Sequence, residues 1–422
     1  CRQHKIRVQN KLSDMKTNLL KNLGLTVAIA SVLCVSCETD NDGPAGGYSE
    51  SDEYAFYVTF GTMPTLYAGL YLLGNEMPSY VFFERTQTFD TSHYPDYAEI
   101  CPYMGGDNET QEKMKEWMMN TIRTIDQKNP DARFHLYVDD LRSPLSYDWF
   151  VAQGIDLSRL KVHLLSDGTG TYNEFYSAFA ASGTGRENWE KYVAEINSLA
   201  WNSDGSDLLG TRALPEFEQH WHWSYPLSTL DNYDLTLHYD NMFETADPYV
   251  QEQLPKMHLT PDNVIDMLKR LPQAKQEIMY RMIPYDRQVF IDLMDASPKP
   301  NLIINGTSNQ PENQRLYVGE VYEKYKEDYD IFFEPHPSDE SYLDYEEAFP
   351  GLKNIPKTSF EFVLMFISDK IDAIGGFPSS IYLTVPVEKV KFMFAAGPEA
   401  MQKPLDRIFA AQEGIAYMLA SE

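Results

Sequence analysis

Short apolar runs alternate with longer amphipathic stretches in the first half of the chain. Between the second and third runs, apolar side chains recur at helical spacing across Glu109–Lys128, which predicts one long helix. The apolar runs themselves predict buried strands at Ala55–Thr59, Tyr80–Phe83, Phe134–Val138 and Val162–Leu165. Strands that alternate with helices in this way are typical of a parallel sheet that is covered on both faces.

The second half of the chain repeats this alternation after a long helical stretch. Residues 173 to about 298 are predicted to be mostly helical, with Thr260–Pro261 as the cap and first turn of a helix at Val264–Leu271. Beyond them we predict strands at Leu302–Ile304, Ile331–Phe333, Ile371–Ile374 and Lys391–Phe394, and helices at Leu316–Lys326 and Ser359–Ile367.

Two such blocks predict an α/β protein with two Rossmann-like domains, whose parallel sheets face each other across a cleft. We place the first domain at 54–298, including the helical insert, and the second at 299–422. The last helix of the chain is expected to pack back on the first domain. Because ligands bind beyond the carboxyl ends of the strands in open parallel sheets, the residues that follow each strand are the candidates for chemistry.

The first 53 residues have the pattern of an export signal followed by a tether. Basic residues surround Met15, which we take as the true start, and an apolar stretch then runs to Ser36. Cys37 follows in a context that resembles a bacterial lipobox, so 1–36 is predicted to be a signal segment and Cys37 to be lipidated. Residues 37–53 are then the lipoprotein anchor and flexible tether of a cell-envelope protein, with a plain secreted protein as the alternative.

The chain is strongly acidic, because 63 Asp and Glu residues against 35 Lys and Arg residues give a formal charge of −28. Removal of 1–36 leaves 62 acidic and 29 basic residues, a charge of −33. This excess argues against a nucleic-acid partner, whose phosphates attract clustered Lys and Arg, and it restricts membrane contact to the lipid anchor. Lipidation of Cys37 leaves Cys101 without an intrachain disulfide partner.

Two of the predicted strand ends carry a single candidate catalytic residue each. Asp167 and Gly168 follow Val162–Leu165, and a carboxylate beside a glycine is either a general base or part of a common turn. His336 stands between two prolines after Ile331–Phe333. This histidine is either a hydrogen-bond donor to a phosphate leaving group or an ordinary surface-turn residue.

A third strand end combines glycines with paired hydroxyl groups. Gly375 and Gly376 follow Ile371–Ile374, and Ser379 and Ser380 come directly after them at a predicted helix start. Backbone N–H groups and hydroxyls in this arrangement bind phosphate without a metal ion or a lysine. A helix cap with a turn is the alternative interpretation.

The patterns for metal binding are weak. His220 and His222 have no third ligand at zinc-like spacing. The pair Asp139–Asp140 follows a predicted strand, but it has no second acidic group with which to hold a divalent ion. We therefore predict a protein that uses no metal ion.

These strand ends, taken together and in this order, resemble the bacterial sialyltransferases of glycosyltransferase family 80. The most similar stretch begins with the Ile-Pro and Ser-Phe-Glu sequences of Ile355–Glu361 and continues through Asp369–Lys370 to Gly375–Tyr382. Upstream, Phe333–Pro337 resembles the His-Pro motif of the family, and Leu165–Tyr172 resembles its acidic-acidic-Gly motif.

The resemblance implies the two-domain fold type called GT-B and an enzyme that transfers sialic acid, or a related acid sugar, from a CMP-activated donor to a glycan hydroxyl. The transfer would invert the anomeric centre without a metal ion, and the CMP-sugar would be a substrate rather than a cofactor. The first domain would bind the acceptor and the second domain the nucleotide sugar. The protein is expected to act as a monomer.

The resemblance also assigns roles to single residues. Asp167 would be the general base that deprotonates the acceptor hydroxyl, and His336 would stabilise the departing CMP phosphate. Ser379 and Ser380 would donate hydrogen bonds to the same phosphate oxygens, next to Gly375 and Gly376 of the same donor-binding motif. Glu361 would accept hydrogen bonds from the ribose hydroxyls.

The chain departs from the family pattern at three places. Ser166 stands at the first acidic position of the Asp-Gly motif, Glu334–Pro335 stands where the family has Lys-Gly, and Asn309 replaces an acceptor-stacking Trp. Glu334 places a negative charge beside an anionic donor. Two alternatives therefore stay open: a GT-B transferase with a different nucleotide-sugar donor, and a catalytically decayed envelope lipoprotein that binds glycans.

Overall fold

The structure is a computed structural model, and it describes residues 52–83, 89–105, 107–140, 147–198, 220–296 and 299–419. The predicted signal segment, the lipidation site Cys37 and all but the last two residues of the predicted tether lie outside the described residues. Within the described ranges, no helix combines the length and the apolar character that crossing a membrane requires.

Seven of the described strands form a first sheet in the order β3-β2-β1-β4-β5-β6-β7, and each pair of neighbours is parallel. The strands are β1 Glu53–Thr59, β2 Ser79–Phe83, β3 Ala98–Ile100, β4 Arg133–Asp139, β5 Leu160–Leu165, β6 Tyr233–Leu237 and β7 Leu259–Pro261. Burial on both faces explains why β1 and β2 consist almost entirely of apolar and aromatic residues.

Six further described strands form a second parallel sheet in the order β10-β9-β8-β11-β12-β13. They are β8 Asn301–Asn305, β9 Asp330–Glu334, β10 Lys353–Asn354, β11 Ala373–Gly376, β12 Val390–Met393 and β13 Ala416–Tyr417. In both sheets the strand order reverses next to the first strand, between β1 and β4 and between β8 and β11. This is the doubly wound order of Rossmann-type sheets, so the predicted α/β class with two such sheets is confirmed.

The helices of the described residues connect these strands. They are α1 Thr62–Asn75, α2 Asn108–Lys128, α3 Tyr147–Ala152, α4 Thr169–Phe179, α5 Thr184–Ser198, α6 Ser224–Leu227, α7 Pro248–Gln251, α8 Val264–Arg270, α9 Gln273–Met282, α10 Arg287–Asp295, α11 Pro311–Tyr325, α12 Tyr345–Ala348, α13 Phe360–Ile367 and α14 Leu405–Ala410. The long helix predicted at 109–128 is α2.

Helix α13 is buried because its sequence, Phe-Glu-Phe-Val-Leu-Met-Phe-Ile, is apolar on every side. It packs against α1 of the first half of the molecule and against α8 and α10. Phe362 makes edge-to-face contacts with Phe89 and Tyr285. Glu361 is the one charged residue of α13 and lies in its first turn.

The sequence prediction was wrong for part of the stretch 173–298. Two strands of the first sheet, β6 and β7, lie within it, and Thr260 and Pro261 belong to β7 instead of capping a helix. Asn263 is the cap of α8, and its side chain accepts a hydrogen bond from the N–H of Ile265. A proline is tolerated in β7 because this strand is at the edge of the sheet, where the backbone N–H groups on its outer side have no neighbouring strand to bond to.

The prediction also misplaced Gly375 and Gly376, which lie inside β11 rather than after it. A β-carbon on Gly375 would collide with the backbone oxygen of Phe392 in β12, and one on Gly376 would collide with the backbone of Asn305 in β8. Gly376 also has a φ of +129°, a conformation that L residues rarely adopt. The two glycines therefore allow β11 to lie close between its two neighbours.

Replacing Gly376 by alanine is expected to destabilise the fold by roughly 3 kcal/mol or more, because backbone strain and overpacking add at one position. Gly74→Ala is the matched control, since nothing lies within 4 Å of its added β-carbon and the site is an exposed position of α1. There alanine should raise the free energy of unfolding by about 0.5–1 kcal/mol. Urea unfolding of both variants measures the difference, and equal effects would contradict this account of β11.

Candidate functional site

A cavity of about 510 Å³ lies at the carboxyl ends of the second sheet, where the loops that follow β8, β9 and β11 come together. Residues of α13 and of the start of α1 complete its wall. The lining residues are Thr62, Asn305, Gly306, Thr307, Asn309, Glu334, His336, Pro337, Ser359, Phe360, Glu361, Phe377, Pro378, Ser379, Ser380, Ile381 and Gln402. The volume is within the range of small-molecule sites, and the position is the switch point of a doubly wound sheet.

Asp167, two residues after β5 of the first sheet, is not among the lining residues, but it lies at the edge of the cavity because it contacts the residue before Thr62. Its carboxyl group packs against Gly61, the residue that precedes α1, so closely that a β-carbon on Gly61 would collide with Oδ1. Thr62, the next residue, lines the cavity. The N-terminal end of a helix favours a nearby negative charge, so this position suits a carboxylate.

Two neighbouring aspartates fix the loop around Asp167. The backbone N–H of Asp167 donates to Asp140 Oδ1 at 3.1 Å and to Thr171 Oγ1 at 3.2 Å. Asp139 accepts from the N–H of Gly61 at 2.8 Å, which ties the start of α1 to the end of β4. Asp140 is fully buried. Burial raises the pKa of Asp140 well above its ordinary value, and the charges of Asp167 and Asp139 raise it further.

The loop after β5 touches the second sheet directly through Ser380. The Ser380 hydroxyl accepts a hydrogen bond from the N–H of Thr169 at 3.2 Å and lies 3.1 Å from Thr169 Oγ1. Gly168 has a φ of +72°, and a β-carbon on it would lie 2.6 Å from Ser380 Oγ. Only glycine therefore allows this approach of the two sheets.

The segment before α14 strengthens the same junction. Gln402 donates from Nε2 to Thr169 Oγ1 at 3.0 Å, and the N–H of Lys403 donates to Asn173 Oδ1 at 2.9 Å. Arg407 of α14 forms an ion pair with Glu244 of the first half of the molecule. The end of the chain thus contacts the first sheet's loops and helices.

His336 is exposed in the loop after β9, and a neighbouring serine orients its ring. The N–H of Ser338 donates to His336 Nδ1 at 3.2 Å, and the Ser338 hydroxyl lies 2.8 Å from the same nitrogen. A backbone donor on Nδ1 requires that nitrogen to be an acceptor, which leaves the proton of the neutral ring on Nε2. His336 can therefore offer an N–H donor to an anion from its other ring nitrogen.

Ser379 precedes a single 3-10 turn at Ser380–Leu383, and its hydroxyl oxygen accepts from the N–H of Ile381 at 3.3 Å. The predicted helix start is thus a short turn without a long helix behind it. Ser379 and Ser380 line the cavity, whereas Gly375 and Gly376 are not among the described lining residues.

Two carboxyl groups share the cavity with these donors. Glu334, the last residue of β9, is 4% exposed, and Glu361 is half-buried. Burial raises the pKa of Glu334 well above its ordinary value, and the charge of Glu361 raises it further. Burial likewise raises the pKa of Glu361, with a further contribution from Asp167.

The structure therefore brings His336, Glu361, Ser379 and Ser380 together in one cavity, with Asp167 at its edge. Sequence reasoning missed Gln402 and Thr169, which join the two halves of the site. In the sequence, the position of Asp140 directly after β4 is the only local signal for the hydrogen bond that Asp140 accepts from the backbone N–H of Asp167. A second cavity, of about 280 Å³, is lined by residues such as Lys269, Leu364 and Lys389, and by none of these site residues.

The metal candidates of the sequence have other contacts in the structure. His222 is buried and hydrogen bonds to Glu174 at 2.8 Å and to Tyr192 at 3.1 Å, while the side chain of His220 lies outside the described part. Asp139 and Asp140 accept the hydrogen bonds described above. Among the described residues, no group of three or more His, Cys, Asp and Glu side chains is placed to hold a metal ion.

Gly168→Ala is expected to cost roughly 3 kcal/mol of unfolding free energy, because left-handed strain adds to the collision with Ser380. Gly154→Ala is the control: its φ of +81° resembles that of Gly168, but nothing lies within 4 Å of an added β-carbon. This variant should cost only the strain, about 1 kcal/mol. Chemical unfolding of both measures the difference, and equal costs would show that the contact with Ser380 is loose.

Sequence comparisons and structure comparisons give different answers for this chain. No protein family model matches it, and no curated protein matches it significantly in sequence. Solved structures do match. The α/β-galactoside α-2,3-sialyltransferase of Photobacterium phosphoreum has a TM-score of 0.62 at 16% identity, over 87% of this chain and 99% of that chain.

Two further sialyltransferase structures are similar in fold to this chain. The 2,6-sialyltransferase of Photobacterium sp. JT-ISH-224, solved with the donor product CMP and the acceptor substrate lactose, has a TM-score of 0.61 at 16% identity, over 87% of this chain and 78% of that chain. The GT-B domain of the Photobacterium damselae sialyltransferase has a TM-score of 0.57 at 18% identity, covering 87% and 100%. At such identities the likeness shows the fold, and the predicted GT-B arrangement is confirmed.

Proposed function

We propose that this protein is an inverting glycosyltransferase of the sialyltransferase type, which transfers sialic acid or a related acid sugar from a CMP-activated donor to a glycan hydroxyl. The observation that carries the proposal is one cavity lined by His336, Ser379 and Ser380, with Asp167 packed against Gly61, the neighbour of the lining residue Thr62. The likeness in fold to sialyltransferases, one of them in complex with CMP and lactose, supports the same reaction class.

The proposed reaction is a single displacement at the anomeric carbon of the donor sugar. The acceptor oxygen forms the new bond as the bond between the anomeric carbon and the phosphate oxygen breaks, and CMP leaves with the electron pair. Asp167 takes the proton of the acceptor hydroxyl, since its carboxyl group is at the edge of the cleft on the side of the first sheet. One carboxylate is enough, because no covalent sugar–enzyme intermediate forms.

The leaving group is stabilised from the second sheet in this mechanism. Negative charge develops on the phosphate of CMP, and fixed hydrogen-bond donors stabilise such charge without reorganising. His336 offers its Nε2–H, because Ser338 occupies Nδ1. Ser379 and Ser380 offer hydroxyls on the opposite loop. Glu361 is proposed to accept hydrogen bonds from the ribose, and no metal ion takes part.

Asp167→Ala is expected to lower kcat by about 10²–10⁴-fold while CMP still binds, because the residue removes a proton and does not hold the nucleotide. The assay is transfer from CMP-sialic acid to lactose by the purified protein, with CMP binding followed by thermal shift. Glu327→Gln, which removes an exposed carboxylate before the amino end of β9 and outside the cavity lining, is the control. Loss of CMP binding in Asp167→Ala would mean that its role is misassigned.

The wild-type protein tests the reaction class as a whole. If the purified protein neither transfers sialic acid from CMP-sialic acid nor hydrolyses this donor, with or without divalent ions, the result counts against the proposal. Stabilisation by another nucleotide in a thermal-shift panel would indicate a GT-B transferase with a different donor. A response to glycans alone would indicate a binding protein whose catalytic site has decayed.

We further propose that the protein is a lipoprotein of the bacterial cell envelope, anchored at Cys37. Metabolic labelling with a fatty-acid probe should mark the wild-type protein and leave Cys37→Ser unlabelled. Cys101→Ser, which removes a buried thiol instead, should be labelled like the wild type. Labelling of Cys37→Ser would place the lipid elsewhere or show that the anchor prediction is wrong.

A further inference from the structure

Glu334 is a buried carboxyl group that faces the cavity, and its side chain has no hydrogen-bond partner within the part of the chain that the structure describes. It is 4% exposed, it ends strand β9, and it lines the cavity two residues before His336. Its backbone oxygen accepts from the N–H of Gly306, which fixes the strand end. Among the described residues, no donor or cation contacts its side chain, and burying a carboxylate in this way is costly.

The groups that face Glu334 do not supply a compensating charge. Glu361 approaches from α13, and its charge raises the pKa of Glu334. Tyr382 approaches from the turn after β11; burial raises its pKa, and the charge of Glu334 raises it further. The hydroxyl of Tyr382 has no hydrogen-bond partner among the described residues. His336 is the titratable neighbour on the same loop, and Asp167 faces Glu361 from the first sheet.

A proton is the simplest way to accommodate this pair of carboxyl groups. Two like charges in a buried site cannot both ionise cheaply, and an anionic ligand in the same cavity adds a third. A protonated carboxyl group, by contrast, has one O–H donor and one acceptor oxygen. It can hydrogen bond to an uncharged polar part of a ligand whose phosphate is held by the hydroxyls and the imidazole.

We propose that Glu334 and Glu361 share one proton when a ligand occupies the cleft, so that the binding of an anionic nucleotide takes up a proton. Glu334 is then a specificity-determining residue. It hydrogen bonds to an uncharged polar group of the ligand, and it weakens the binding of any ligand that has a second anionic group at this position. The inference rests on the proposed function, because CMP is the nucleotide taken to bind. The raised pKa of both carboxyl groups agrees with it.

The test is isothermal titration of CMP into the full-length wild-type protein, in two buffers of different ionisation enthalpy, from about pH 5 to about pH 8. The difference between buffers gives the number of protons taken up. We expect uptake of up to about one proton per CMP bound. The affinity should fall by as much as about tenfold per pH unit where the pair ionises.

Glu334→Gln keeps the shape and the hydrogen-bonding capacity of the protonated carboxyl group, so it should still bind CMP while losing the extra proton uptake. Glu361→Gln removes the other member of the pair and should have the same effect on uptake, even if CMP binds more weakly. Glu340→Gln removes an exposed carboxylate from the same loop and should behave as the wild type.

The pH dependence of the free energy of unfolding, measured without ligand, tests the same pair of carboxyl groups even if a variant binds CMP poorly. A carboxyl group whose pKa is raised in the folded state contributes most to the free energy of unfolding when it is protonated. This contribution is lost as the pH rises above the pKa that the group has in the unfolded chain. Glu334→Gln should therefore gain stability relative to the wild type as pH rises above about 4.5. Parallel stability curves would show that folding does not raise the pKa of Glu334, and this would remove the reason for proton uptake when CMP binds.

The outcomes separate this inference from the proposed function. No binding of CMP even at about pH 5, the acidic end of the titration range, overturns both. Binding without proton uptake, or with uptake that Glu334→Gln leaves unchanged, overturns the inference alone. Binding near neutral pH that requires Mg²⁺ and takes up no proton would also overturn it, because the carboxyl groups would then hold a metal ion.

Discussion

The hydrogen bonds between Thr169 and Ser380 join the two sheets at the point where their strands end. They depend on the glycine at position 168, since any side chain there would displace the Ser380 hydroxyl. The part of the site that the first sheet contributes depends on this approach. It sets Asp167 at the edge of the cavity that the second sheet forms, and it places Gln402 of the last segment over the same junction.

The site combines carboxyl groups with neutral hydrogen-bond donors and, in its described lining, contains no Lys or Arg side chain. This agrees with the acidity of the whole chain, because an anion can bind only where local donors oppose the general field. Helix α13 shows how the fold allows the arrangement. Its apolar faces are buried among other helices, and this packing fixes the one charged residue, Glu361, at the cavity.

Most strands were predictable because each is a short apolar run that is buried on both faces, and such runs are visible in the sequence. Five of the described strands were not recognised. Strand β6 contains alternating polar residues, and the edge strands β3, β7, β10 and β13 have only two or three residues each. Candidate residues such as Asp167, His336 and Ser379 were found by one rule, that ligands bind where parallel strands end.

The sequence by itself determined the class of fold, the strand ends that carry polar residues, and the acidic character of the molecule. Only the tertiary structure decided which strand ends meet, because contacts between residues hundreds of positions apart leave no local periodicity. It showed that Gly375 and Gly376 serve the packing of β11, whereas Glu334, noticed in the sequence as a departure from a motif, is a buried carboxyl group facing Glu361. Burial and neighbouring charge, which set the chemistry of such a group, exist only once the chain has folded.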